Sequence, residues 1–125
     1  MGIRRLRLTQ PRSGGRYVPP YDSKEKHLPG YNYCGPGTNV TRRMSEGVQP
    51  VNELDAACQA HDIDIEERGP KRRAGSAKEI RASDSRLARA AKAIALKTRD
   101  AELRANAWLV HRAMKFNRWR KSRRD

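Results

Sequence analysis

Apolar and polar positions repeat with a helical period in two stretches of the chain. Leu54, Cys58, His61 and Ile65 fall at i, i+4, i+7 and i+11, one face of a helix predicted over residues 51–68. Pro50 suits the first turn of that helix, and Gly69 with Pro70 ends it. Ile80, Asp84, Leu87, Ala91 and Ile94 form a second stripe, after a linker over 71–75. Ser76 and Glu79 have capping-box spacing for this second helix. No Gly or Pro follows Gly75, so helix can persist through most of 77–120, with a break near Thr98–Asp100. Residues 1–37 are dense in Gly and Pro and predict an extended arm followed by a structured loop; residues 38–49 read as further loop. The expected fold is mainly α: a Gly-rich loop feeding a pair of antiparallel helices, with an extended N-terminal arm and a C-terminal helix. The expected division is an arm over 1–26, a core over 27–97 and a helical tail over 98–125.

Charge sharpens this division. The 125 residues carry 28 Lys and Arg against 14 Asp and Glu, a net charge of +14. Residues 1–20 hold five Arg and no acid, and residues 111–125 hold seven basic residues and Asp125. Both ends are therefore polycations around a nearly balanced middle, which points to an anionic partner, either nucleic-acid phosphates or lipid headgroups. Solvated tails with no partner would have the same composition. No apolar run approaches the roughly 20 residues that cross a bilayer, and 125 residues are too few for a Rossmann or barrel enzyme. The basic start interleaves Ile3, Leu6 and Leu8 with arginines, so no secretory signal peptide is expected.

The chemistry concentrates on the two stripes. A carboxylate at a core position must be paired, because burying it alone is costly. Helices packed stripe to stripe bring Asp84 to His61, the base-and-orienter half of a hydrolytic site. A buried His–Asp pair that only fixes helix register would have the same spacing. Cys34 and Cys58 are the only cysteines. Free thiols, a zinc site borrowing His61, and a disulfide all remain open from spacing, although zinc lacks an evident fourth ligand. His27 and His111 read as surface groups. Trp108, Phe116 and Trp119 among Arg112, Lys115, Arg118, Arg120 and Lys121 suit an interfacial helix on anionic lipid, nucleic-acid backbone binding, or packing of Trp108 on the hairpin.

The run Tyr33-Cys34-Gly35-Pro36-Gly37, followed by the segment from Pro50 to Asp62 (PVNELDAACQAHD), resembles the secreted phospholipase A2 family. There a Y-C-G-x-G calcium loop precedes a P-V-D-E-L-D-x-C-C-x-x-H-D helix. The Gly-Pro-Gly form and the long spacer over 38–49 look more like the parvoviral phospholipase A2 domains, and Ser83-Asp84-Ser85-Arg86-Leu87 is similar to the segment with the catalytic aspartate. The resemblance covers about residues 28–96. It implies Ca²⁺ held by the carbonyls of Tyr33, Gly35 and Gly37 and by the Asp62 carboxylate. It implies His61 as the base that activates water against the sn-2 ester of a glycerophospholipid, Asp84 as its orienter, and the Gly35 N–H as an oxyanion donor. Cys34 and Cys58 occupy the positions of a disulfide of the secreted enzymes, one that the parvoviral domains generally lack. Ile65 stands where the family often has a Tyr bonded to the second-helix aspartate.

The expected function is thus a calcium-dependent phospholipase A2. Its expected partners are an anionic phospholipid surface and viral genome or capsid proteins, and its expected setting is a virion component acting at the endosomal membrane of a host. The rival is a basic nucleic-acid-binding or packaging protein that uses the helical hairpin only as a scaffold. An inactive membrane-disrupting homologue is a third reading, opposed by the presence of Asp62.

Overall fold

The computed structural model describes residues 15–65 and 77–124, with side chains to residue 116 in the last helix. Four helices and no strand occur among the described residues. They are α1 (Val40–Ser45), α2 (Glu53–Ile65), α3 (Ala77–Lys97) and α4 (Ala101–Arg124). This is the mainly α fold expected. The predicted end of α2 at Gly69 and Pro70, the 71–75 linker and the Ser76 cap lie outside the described residues, as do residues 1–14.

Two boundaries differ from the sequence reading. Residues 38–49 are not all loop: Asn39 accepts a side-chain hydrogen bond from the Arg42 amide and starts the short α1. The second helix begins at Glu53 and not at Pro50, because Asn52 is its cap. The Asn52 Oδ1 accepts from the Asp55 amide at 3.0 Å, and the Asn52 carbonyl accepts from Ala56. The break at 98–100 occurs as expected, with Asp100 Oδ1 accepting from the amides of Glu102 and Leu103.

Both stripes are inward. Leu54, Cys58 and His61 on α2 and Asp84, Leu87 and Ala91 on α3 are buried, with Ile65, Ile80 and Ile94 partly so. Small side chains on α3 (Ala88, Ala91 and Ala95) let α4 approach closely through Ala107 and Val110. The His111 Nδ1, 2.8 Å from the Ala88 carbonyl, adds a polar tie, and Trp108 meets the His111 ring edge to face. Trp108 packs against the core, one of the alternatives its sequence left open, and His111 is half-buried, not the surface group expected.

The described part of the segment assigned to the arm lies on the core. Asn32 Nδ2 donates to the Arg16 and Gln49 carbonyls, and its Oδ1 accepts from the Val18 amide. Arg43 and Glu25 form a buried two-pronged ion pair, with Nε and Nη2 each 3.1 Å from a carboxylate oxygen. Arg43 donates further to the carbonyls of Val18 and Pro19. Burial raises the Glu25 pKa, but bonds from Arg43 and from the Tyr21 and Asn39 amides outweigh it and hold the carboxyl at about 2.

Candidate functional site

Residues 31–38 form the glycine loop, and one carboxylate holds it. Asp55, on the first turn of α2, is fully buried. Its Oδ1 accepts from the amides of Tyr33 and Cys34 at 2.8 and 3.1 Å, and its Oδ2 from those of Asn32 and Val51 at 3.0 Å each. Burial pushes its carboxyl pKa up, against the four amides that favour the charged form. The Cys34–Cys58 disulfide, with Cα atoms 5.0 Å apart, ties the same loop to α2 one turn before His61. This closes the free-thiol reading, and it removes Cys58 as a zinc ligand.

The loop also lies against residues 24–28. The amides of Lys26 and Leu28 donate to the carbonyls of Pro36 and Cys34. That contact is so close that a Cβ on Gly35 would overlap the Lys26 carbonyl oxygen, and one on Gly37 the Lys24 carbonyl oxygen. Both glycines also have positive φ, which other residues rarely adopt. Within the loop, the Gly35 carbonyl accepts from the Thr38 hydroxyl at 3.2 Å.

Across from the loop, His61 Nε2 is 2.7 Å from Asp84 Oδ1, and its Nδ1 is 3.7 Å from Asp62 Oδ1. Burial lowers the ring pKa, but the carboxylates of Asp62 and Asp84 overcome this and raise it to about 9. Ser83 and Arg86 on α3 both donate to Asp64, bracing the two helices beside this pair. A cavity of about 590 Å³ opens here, lined by Tyr33, Cys34 and Gly35 from the loop, His61, Asp62 and Ile65 from α2, and apolar residues of α4. The structure thus gathers Tyr33, Gly35, His61 and Asp62 on one cavity. Asp84 stands behind His61, and Gly37 is outside the cavity lining. Among the described residues, no three His, Cys, Asp or Glu side chains converge to hold a metal, so a cation at this cavity would depend on backbone oxygens.

Two residues were missed by sequence reasoning. Asp55 lies inside the helix motif, and its spacing from the loop gives no local sign of the four amides it gathers. His27 is not a surface group: its side chain is 2% exposed, and among the described residues neither ring nitrogen has a hydrogen-bond partner, with a Glu25 carboxylate oxygen 4.0 Å away. Burial, with the nearby Arg43 charge, lowers its pKa and so favours the neutral ring.

A histidine braced by a carboxylate, beside a disulfide-pinned glycine loop on a largely apolar cavity, can take a proton from a water held next to an apolar ligand. Residues 24–93 match the family described as phospholipase A2-like domain. This span is more than half of the chain, which therefore belongs to that family. No curated protein and no solved structure matches it.

Proposed function

We propose that the protein is a calcium-dependent phospholipase A2 that hydrolyses the sn-2 ester of glycerophospholipids. The observation that carries this reading is the His61–Asp84 contact at 2.7 Å on the wall of a cavity shared with Tyr33, Gly35 and Asp62. The donor set fits Ca²⁺. Backbone carbonyls of the loop, together with the Asp62 carboxylate on the same cavity, are hard oxygens of the kind that ion takes. Tyr33, Gly35, Gly37 and Asp62 would hold it. When bound, it would supply positive charge for the substrate phosphate and for the ester oxygen as that oxygen becomes negative.

The remaining chemistry belongs to the chain. In the neutral ring, Nε2–H donates to Asp84, which fixes the tautomer and leaves the Nδ1 lone pair to accept a proton from water. Asp62 committed to a cation would no longer hold a proton on that nitrogen. The activated water attacks the sn-2 carbonyl carbon, with the Gly35 N–H as a donor to the oxyanion. Breakdown expels the glycerol oxygen, which takes the proton from His61 and leaves a free fatty acid and a lysophospholipid. Ile65, on the cavity wall in place of the family Tyr, leaves Asp84 without that hydroxyl.

Site variants test the assignment. His61→Asn should abolish fatty-acid release while helicity and calcium binding stay near wild type, with a lower melting temperature because Asp84 loses its buried partner. Asp62→Lys should abolish both release and calcium binding. Near-normal turnover by His61→Asn would show that this ring is not the base, and near-normal turnover by Asp62→Lys would show that this carboxylate does not hold the ion.

A further inference from the structure

Helix α4 begins beyond the residues that match the family, yet one side of it closes the cavity. Leu103, Ala107, Val110 and Met114 follow i, i+4, i+7 and i+11 and face the core. The adjacent stripe is Leu109, Arg112, Ala113 and Phe116, at i, i+3, i+4 and i+7, and all four are exposed. Leu109 is 48% and Phe116 55% exposed, large values for such side chains. Leu109 and Ala113 also line the cavity, so this stripe runs outward from the cavity mouth.

Cations flank it. Arg112 and Lys115 are exposed on the same turns, and the sequence continues with five more basic residues over 118–124. Large apolar side chains facing water beside an apolar cavity, with long cationic side chains around them, match the surface of a phospholipid layer. Nucleic-acid phosphates would engage the cations and leave Leu109 and Phe116 without a role.

We infer that α4 is a docking edge for an anionic phospholipid bilayer. Leu109 and Phe116 enter the acyl boundary, Arg112 and Lys115 meet lipid phosphates, and the cavity mouth is set against the lipid. The inference rests on the proposed hydrolysis for its purpose, and it deepens that reading by naming the surface that delivers substrate. It also places residues outside the family match in the working enzyme.

Vesicles made only of ether-linked phosphatidylglycerol and phosphatidylcholine separate docking from catalysis, because they contain no carboxylic ester to hydrolyse. With the full chain and a calcium chelator present, sedimentation with these vesicles should be strong and should weaken as phosphatidylglycerol is withdrawn. Leu109→Ser with Phe116→Ser should lower vesicle affinity at least tenfold, and Phe116→Ser alone, away from the cavity wall, should lower it severalfold. Arg112→Glu with Lys115→Glu should lower affinity for the anionic vesicles and reduce its salt dependence. Unchanged melting curves would confirm that each variant folds. Wild-type affinity in the double serine variant would overturn the inference. So would a wild-type chain that ignores vesicles and binds a single-stranded oligonucleotide. Normal docking by a chain that releases no fatty acid from ester lipids would overturn the hydrolytic reading and leave the docking edge standing.

Discussion

Asp55→Ala should destabilise the protein more than any change to the His61–Asp84 pair. The substitution leaves four amides, those of Asn32, Tyr33, Cys34 and Val51, without their buried acceptor. An unsatisfied buried donor costs about 1–3 kcal/mol. Four such losses give at least ~4 kcal/mol even at the low end, a large part of a typical total stability of about 5–15 kcal/mol. Asp55→Asn gives a graded comparison. Its single amide oxygen can serve one pair of amides, while its NH₂ meets the other pair donor to donor, so about half the alanine penalty or somewhat more is expected. Urea unfolding at neutral pH, followed by far-ultraviolet circular dichroism, measures both variants. If the alanine variant does not fold at all, the asparagine variant still supplies the number. Losses under about 1 kcal/mol in both would show that these four bonds do not hold the loop in place.

Other parts of the structure respond to pH and to reductant. Glu25, held at about 2 against an ordinary 4.5, contributes stability that is complete above the unfolded value and is lost as pH falls towards 2. Linkage puts this at about 3 kcal/mol, so Glu25→Gln should lower stability at pH 7 and flatten the decline between pH 5 and 2 in acid unfolding curves. In the metal-free chain, the His61 pKa of about 9 means that its ion pairing stabilises fully below the ordinary value of 6.5 and fades as pH rises through 9. A nuclear magnetic resonance titration should place the ring accordingly, and a value at or below 6.5 would show that the two carboxylates do not govern it. Reducing the Cys34–Cys58 bridge, which closes a sequence separation of 24, should cost about 3 kcal/mol in urea unfolding and weaken calcium binding with it.

Whatever local spacing encodes is legible in the sequence. The stripes of α2 and α3, the break capped by Asp100 and the meeting of His61 with Asp84 follow from a period of 3.6 and a short connection. The disulfide follows from the resemblance of the motif. Less legible are contacts that join distant segments. The Glu25–Arg43 pair spans 18 positions, and in sequence both residues look like solvated charges. Asp55 likewise reads as an ordinary first-turn acid, favourable at a helix N-terminus, and only the folded loop turns it into a four-amide anchor. The short α1 is hidden because six residues carry too little periodicity to stand out from a loop. His27 reads as a surface group because no local pattern reveals that segment 24–28 lies beneath the glycine loop.

The proposed reaction is calcium-dependent cleavage at one ester. A phosphatidylcholine carrying different acyl chains at sn-1 and sn-2, presented in mixed vesicles with phosphatidylglycerol, tests it most directly by chromatography of the released acids. With Ca²⁺ present, the sn-2 acid and the matching lysophospholipid should be released, with no release once the ion is chelated. Release from sn-1, equal release under chelator, or no release from a folded chain in Ca²⁺ would contradict it.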